Sequence, residues 1–166
     1  LSFFLRKGVL MMQIKLIRAT VADAQEILSL QKLAYQSEAE IYNDYTILPL
    51  HETVNDAEQA FETHHILKAV NEQNEIVGSV RGKHEDGTTN IGKLMVHPSA
   101  QNQGLGRKLM TAIEQALPAT TYKLFTGSKS EKNLALYQKL GYEIVSHAQL
   151  PGEATVFAFL EKRTIS

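Results

Sequence analysis

Apolar and polar positions alternate along "QIKLIR" (13–18), which predicts a short strand. From Val21 the period changes, and Val21, Ala24, Ile27, Leu28, Leu30 and Ala34 fall on one helical face behind a capping Thr20. The next stretch, "IYNDYTILPLHE", contains Pro49 and no clear period, so it reads as a loop or a broken second helix. Thr53 followed by Asp56 marks a helix start before "AEQAFETHH". Three strand-like runs come next: "HILKAV" (65–70), "EIVGSVRGKH" (75–84) and "TTNIGKLMV" (88–96). Glu85-Asp86-Gly87 supplies a hairpin turn between the last two.

In the second half, Leu105, Leu109, Ala112, Ile113, Ala116 and Leu117 share a helical face, with Pro118 just beyond it. "TYKLFTG" (121–127) reads as a strand closed by Gly127. Ser130 stands where it caps "EKNLALYQKL", and Gly141 where a left-handed helix end wants glycine. "YEIVSH" and "ATVFAFLE" form a final antiparallel pair, whose last strand is the expected edge for a homodimer. The order is roughly βααβββαβαββ, an α+β (mixed α/β) pattern with helices against one sheet and no internal repeat or linker.

Composition narrows the function classes. With 166 residues, 43% hydrophobic and 21% charged, the chain suits one folded domain. It has no cysteine, which excludes disulfides, thiolate zinc sites and a cysteine nucleophile, and accords with a cytoplasmic location. No apolar run reaches membrane-spanning length, so no membrane partner is expected. The start, "LSFFLRKGVLMM", lacks the layout of a secretory signal. Residues 1–11 read as an upstream extension or cloning remnant, with Met11 or Met12 as the natural start. The net charge of -1 offers no basic field for nucleic acid. The charge is unevenly spread: nine acids against Lys32 alone from Val21 to Glu62, but seven bases against two acids from Lys93 to Lys139. That asymmetry points to an anionic ligand near the second segment and a cationic one near the first.

The densest chemistry lies in "HPSAQNQGLG" (97–106), between a predicted strand and a predicted helix. A Walker-type loop requires Lys-Ser/Thr after its last glycine, but Gly106 is followed by Arg107-Lys108-Leu109. A dinucleotide fingerprint requires a third glycine where Leu109 stands. What remains is Gln101-x-x-Gly104-x-Gly106, glycines that let backbone approach a pyrophosphate at a helix N-terminus. Arg107 and Lys108 are cations in a first helical turn, where an anionic ligand explains them.

These residues resemble a known family. Leu94-Met95-Val96-His97-Pro98, then Gln101-Asn102-Gln103-Gly104-Leu105-Gly106 and Leu109, look like the acetyl-CoA motif of the GCN5-related N-acetyltransferases (GNAT). "NLALYQKLGYE" (133–143) and "IKLIRATVADAQEI" near the start resemble the family's tyrosine helix and N-terminus. The resemblance spans residues 13 to about 161 and implies a mostly antiparallel sheet of about six to seven strands with a splayed central pair, flanked by about four helices. It implies that residues 12–166 are one acetyltransferase domain using acetyl-CoA. The pantetheine arm would lie along the main chain of Leu94, Met95 and Val96. The pyrophosphate would lie over Gln101, Asn102, Gln103, Gly104, Leu105, Gly106, Arg107 and Lys108. Ser130 and Asn133 are candidate cofactor contacts, although Ser130 stands where many members carry Asn.

The resemblance assigns Tyr137 as catalytic, a phenol near the thioester sulfur that donates to the leaving thiolate. A phenol near pKa ~10 is a plausible donor to a group titrating near ~8.5. The acceptor is expected to be a primary amine of a small molecule or peptide. By position in the family, the acidic stretch bearing Tyr35, Glu38, Tyr42, Asp44 and Tyr45 lines its site, with His84 nearby. Acid and aromatic groups together suit a cationic acceptor. The predicted strand "TTNIGKLMV" has no carboxylate, so the general base is left among Glu38, His84, Glu85 and solvent. The alternative function is a non-catalytic acyl-CoA-binding sensor of the same fold. His64 and His65 are adjacent and point apart, and no second ligand pair at metal spacing occurs, so no metal is expected. Activity should survive a chelator; activity lost to chelation and restored by zinc would contradict this.

Overall fold

The computed structural model describes residues 3–6 and 9–164. A seven-stranded sheet carries the fold, in the order β3-β4-β5-β6-β7-β9-β8. Its strands are β3 (Lys15–Arg18), β4 (His65–Val70), β5 (Ile76–Glu85), β6 (Thr88–Val96), β7 (Thr121–Gly127), β8 (Glu143–Gln149) and β9 (Val156–Arg163). A separate antiparallel ribbon, β1 (Phe3–Arg6) with β2 (Val9–Met12), lies outside that ladder. The helices are α1 (Ala24–Tyr42), α2 (Val54–Thr63), α3 (Leu105–Ala116) and α4 (Glu131–Lys139). Among the described residues, no helix is long and apolar enough to cross a membrane.

Every strand pair is antiparallel except β6 with β7. That parallel pair holds for only three positions, Thr88↔Thr121, Thr89↔Tyr122 and Asn90↔Lys123. Beyond them the strands part. Each can do so because its other edge is paired, β6 with β5 and β7 with β9. The expected splayed pair is therefore present, with its closed end at the β5–β6 turn and its open end at Val96 and Gly127.

A bulge shapes the open arm. Against β5, Ser79 pairs with Met95 and Arg81 with Gly92, so β6 carries one extra residue there. Lys93 takes up the excess with φ +52°, a left-handed conformation that costs a non-glycine residue free energy.

Apolar burial divides across the two faces. One cluster packs α3 residues Leu105, Leu109, Met110 and Ile113 with Tyr122, Leu124, Tyr137, Tyr142 and Leu160. The other packs Ile27 and Leu30 of α1 on Ile66, Ile76 and Met95, with Phe61 of α2 alongside. Leu94 and Val96 turn toward the first cluster and Met95 toward the second, the alternation expected of a strand covered on both faces.

The predicted elements at β4, β6 and β7 match the observed bounds residue for residue. Thr53 and Asp56 form the expected reciprocal cap, with Asp56 N–H donating to Thr53 Oγ1 at 3.2 Å and Thr53 N–H to Asp56 Oδ2 at 2.9 Å. Gly141 is left-handed, at φ +98°. Three expectations need correcting. The apolar stripe stops near Ala34, yet α1 runs on to Tyr42, because the fully buried Ala39 keeps the later turns on the fold. Ser130 does not cap α4 with its side chain; its hydroxyl is committed elsewhere. The last strand is not an edge: β9 inserts between β7 and β8, leaving β8 exposed along its whole length.

A polar tie anchors this inserted strand. Glu114 on α3 accepts from Tyr142 Oη and Lys162 Nζ, each at 2.7 Å, and Lys162 lies 5.4 Å from the Tyr142 ring centroid. Tyr142 is only 2% exposed, so loss of the carboxylate takes away the acceptor of a buried hydroxyl. Glu114→Ala should destabilise the fold by about 2 kcal/mol, read as a lower urea midpoint with unchanged slope. An unchanged midpoint would remove the tie from the account.

Candidate active site

The loop from His97 to Gly104 brings the chain from the open end of β6 to the start of α3. Gly104 is the N-cap residue at φ +76°, and an added Cβ there would meet nothing within 4 Å. The position therefore requires glycine for its backbone conformation, and the space around it is open to a ligand. Gly106 differs: a Cβ there would press on Leu136 Cδ2 at 3.3 Å, so this glycine lets α3 approach α4. The first intrahelical bond is Lys108 N–H to Gly104 O at 3.1 Å. The N–H groups of Leu105, Gly106 and Arg107 thus have no carbonyl partner within the helix and face the loop, a geometry that suits an anion. Arg107 and Lys108 are exposed beside them, as are Gln101 and Asn102, while Gln103 is half-buried.

Along β6, the edge facing β7 has no ladder partner beyond Asn90. Leu94, Met95 and Val96 lie on that unpaired stretch, their side chains held in the two cores, so their main chain borders the cleft.

Helices from opposite faces meet across the cleft. Lys129 N–H donates to Tyr42 Oη at 2.8 Å, and Ser130 Oγ donates to Glu38 Oε2 at 2.8 Å. The Ser130 proton being spent on Glu38, Tyr42 is the donor in its 3.1 Å bond to Ser130 Oγ. Asn133 Nδ2 completes the Glu38 carboxylate at 3.0 Å and reaches Thr126 Oγ1 at 3.4 Å. This directional chain ends on a charge, which strengthens each link. It runs from the α4 start to the end of α1, and the Tyr42 phenol lies directly against Gly127, where any Cβ would overlap it. Ser130 and Asn133, expected at the cofactor, are thus engaged with Glu38 in this structure.

Tyr137 lies on α4, 7% exposed, with its ring edge-on to Tyr142 at 6.1 Å. Burial raises its pKa, and the charges at Tyr35 and Glu38 add to the shift. Burial, with Glu38 next, pushes the Tyr35 phenol up to about 12. Tyr35, Glu38 and Tyr137 therefore form one electrostatic group, assembled from α1 and α4.

Other expected residues lie elsewhere. His84 pairs with Thr89 Oγ1 at 3.0 Å near the closed end of the cleft, about 20 Å of strand from Met95. Glu85 pairs with Lys83 at that same end. Neither reaches an acceptor at the open end, and both are withdrawn from the site. Asp44 spends its carboxylate on the Thr46 backbone and hydroxyl, closing the turn after α1. Tyr45 is 48% exposed and offers its carbonyl to His51. These two belong to the turn, because α1 extends past the point where the sequence pattern ends.

The pattern missed four residues. Gln31, Glu52, Arg81 and Lys93 line a pocket between α1, α2 and strands β4 to β6. The available signal was a charge inside each of two apolar strand runs, "SVRGK" and "IGKLMV". Among the described residues, no group of three or more His, Cys, Asp or Glu side chains is placed to hold a metal.

Residues 62–144 match the model of the acetyltransferase (GNAT) domain. The chain belongs to the GNAT acetyltransferase family. Solved structures carry the same fold across nearly its whole length. PaiA N-acetyltransferase from Thermoplasma acidophilum, in complex with coenzyme A, superposes with TM-score 0.73 at 12% identity, over 92% of this chain and 100% of that one. YncA from Salmonella typhimurium, with its cofactor acetyl-CoA, gives 0.69 at 16% identity over 91% and 94%. A spermidine N-acetyltransferase SpeG chimera from Vibrio cholerae and hSSAT gives 0.68 at 14% identity over 91% and 95%. No curated protein sequence matches this chain. In this GNAT domain the splayed pair, the α3 N-terminus and the α1–α4 tie are set in a fold shared with solved acetyltransferases.

The tie makes a direct prediction. Gly127→Ala should cost about 1–3 kcal/mol by displacing Tyr42. In a Tyr42→Ala background the same change should cost far less, a double-mutant cycle in chemical denaturation. Additive losses would show that Gly127 and Tyr42 are not coupled.

Proposed function

We propose that this protein is an acetyl-CoA-dependent N-acetyltransferase that acylates a primary amine of a small molecule or peptide by direct attack on the thioester. The observation that carries this reading is the shared cleft. An open strand edge and a helix N-terminus on one side converge with a buried tyrosine on the other.

Acetyl-CoA supplies the thioester carbonyl: the new N–C bond forms as the C–S bond breaks, the amine loses one proton and the thiolate gains one. The N–H groups opening α3, with Arg107 and Lys108, hold the pyrophosphate, and the left-handed Gly104 keeps side-chain bulk away from it. The free edge of β6 at Leu94 to Val96 hydrogen-bonds the pantetheine arm as an added strand would. Tyr137 offers its hydroxyl to the departing sulfur. Because burial raises its pKa, this phenol stays protonated across the working range and acts through a hydrogen bond more than by complete proton loss. Glu38 shapes the field at that hydroxyl while held by Ser130 and Asn133. No carboxylate lies on β6, so an amine already neutral, or one deprotonated through solvent, serves as the nucleophile.

That missing carboxylate also supports the rival reading, an acyl-CoA sensor without turnover. Release of free thiol from acetyl-CoA across an amine panel discriminates the two, since binding without release on every amine would favour the sensor. For the enzyme, Tyr137→Phe should lower kcat about 10- to 100-fold with little change in acetyl-CoA affinity. The sign of its pKa shift sets the pH profile. A raised phenol pKa keeps the proton in place as pH climbs, so kcat/KM should rise with acceptor deprotonation and not fall before about pH 10. A descending limb between pH 8 and 9, abolished in the phenylalanine variant, would overturn the role given to Tyr137.

A further inference from the structure

Two phenols at the cleft lack what the other enclosed tyrosines have. Tyr42 bonds the start of α4, Tyr122 bonds the α3 end, and Tyr142 bonds Glu114. Tyr137 is 7% exposed and Tyr35 half-buried, yet among the described residues neither hydroxyl makes a hydrogen bond. Neither hydroxyl is sealed from solvent, so each opens onto space that a ligand can enter. An enclosed phenol usually finds a polar partner, and two that do not, in one place, suit a group brought by a ligand.

Hydrogen bonds set the two phenols level with each other. Stepping back along α1 from Tyr42 to Glu38, the partners on α4 advance from Lys129 and Ser130 to Ser130 and Asn133. The two helices therefore run antiparallel along this seam. Tyr35 stands three residues before Glu38, and Tyr137 four residues after Asn133, each one turn further on the same helical face. They come from opposite sides of the sheet: Tyr35 packs with the cluster beneath α1 and α2, Tyr137 with the cluster beneath α3. Only the gap between β6 and β7 joins those sides here, and Lys93, the residue before Leu94 on the open arm, lies 5.3 Å from the Tyr35 ring centroid.

The ring of Tyr35 already faces that cation, which makes it a poor seat for an acceptor ammonium. What Tyr35 offers the cleft is its hydroxyl. Burial, with Glu38 next, pushes the phenol up to about 12, so it remains a donor at neutral pH. A cofactor whose pyrophosphate rests on α3 enters from the side of Tyr137 and carries its acetyl group toward Tyr35. We propose that Tyr35 is a second catalytic residue, whose hydroxyl donates to the carbonyl oxygen of the thioester while Tyr137 meets the sulfur. This rests on the acetyltransferase reading and adds a residue to it. As the amine nitrogen bonds to the carbonyl carbon, the C=O π pair moves onto oxygen, and Tyr35 stabilises that charge while keeping its own proton. The pair returns as the C–S bond breaks; the nitrogen loses one proton and the thiolate gains one.

Tyr35→Phe keeps the ring and removes only the hydroxyl. With the fastest acceptor among alkylamines, amino acids and dipeptides, kcat for thiol release should fall about a hundredfold, with acceptor KM and calorimetric acetyl-CoA affinity little changed. Isotope-edited infrared spectra of bound acetyl-CoA, labelled at its carbonyl carbon, report the contact itself. The carbonyl band should lie lower in the wild type than in Tyr35→Phe, and Tyr137→Phe should keep the wild-type band. Identical bands in the wild type and Tyr35→Phe, or a raised acceptor KM with kcat intact, would overturn the proposal and leave the acetyltransferase reading standing. So would a Tyr35→Phe loss that vanishes in a Tyr137→Phe background, because Tyr35 would then act only through Tyr137. If acetyl-CoA binds and no amine releases thiol, the acetyltransferase reading fails and the catalytic role of Tyr35 fails with it. The band then decides whether Tyr35 meets the acyl group: shifted in Tyr35→Phe, the contact stands; unshifted, it falls too.

Discussion

β6 and β7 run parallel for three positions and then separate, and nearly every functional feature of the molecule depends on that separation. A strand edge opened inside a sheet leaves backbone donors and acceptors unpaired, which a fold tolerates only where something else satisfies them. Here the loss is limited to one edge of each strand, because β5 and β9 complete the other edges. The bulge at Lys93 bends the β6 arm and re-aims its side chains, at the cost of a left-handed lysine. Strain and an open edge coincide at one place, where a bound ligand would repair the ladder.

The two walls of the opening come from different parts of the chain and do different work. One wall is local: β6, its loop and α3 follow one another in sequence, and it is their backbone that lines the opening. The other is assembled over long separations, by bonds such as Glu38 to Ser130 and Asn133. A cofactor common to a family suits the local wall, whose free groups are mostly main chain. The assembled wall instead presents side chains, Glu38, Ser130 and Asn133 among them, whose identity is free to set charge and shape.

This division explains what the amino-acid pattern revealed. β4, β6 and β7 were legible to the residue because each is a strand-like run bounded by turn or loop signals. The glycine loop was legible because its chemistry is backbone chemistry, and Leu109 and the residues after Gly106 excluded its rivals. Arg81 and Lys93 each stand as a charge inside an apolar strand run, a signal that marks the position without saying which elements close a pocket over it. The same holds for Ser130, whose cap-like position says nothing of Glu38, a residue 92 positions away. Neither the insertion of β9 between β7 and β8 nor the placement of His84 at the closed end follows from periodicity, because both depend on how strands are ordered in space.

The central claim is that the cofactor lies in the cleft, along β6 and over the start of α3. Amide hydrogen exchange with and without coenzyme A tests it most directly. Leu105 to Lys108 and the cleft-facing amides among Leu94 to Val96 should slow together on addition of coenzyme A, while the β8 edge stays unchanged. Protection confined to other segments, or exchange at these amides indifferent to saturating coenzyme A, would contradict the account.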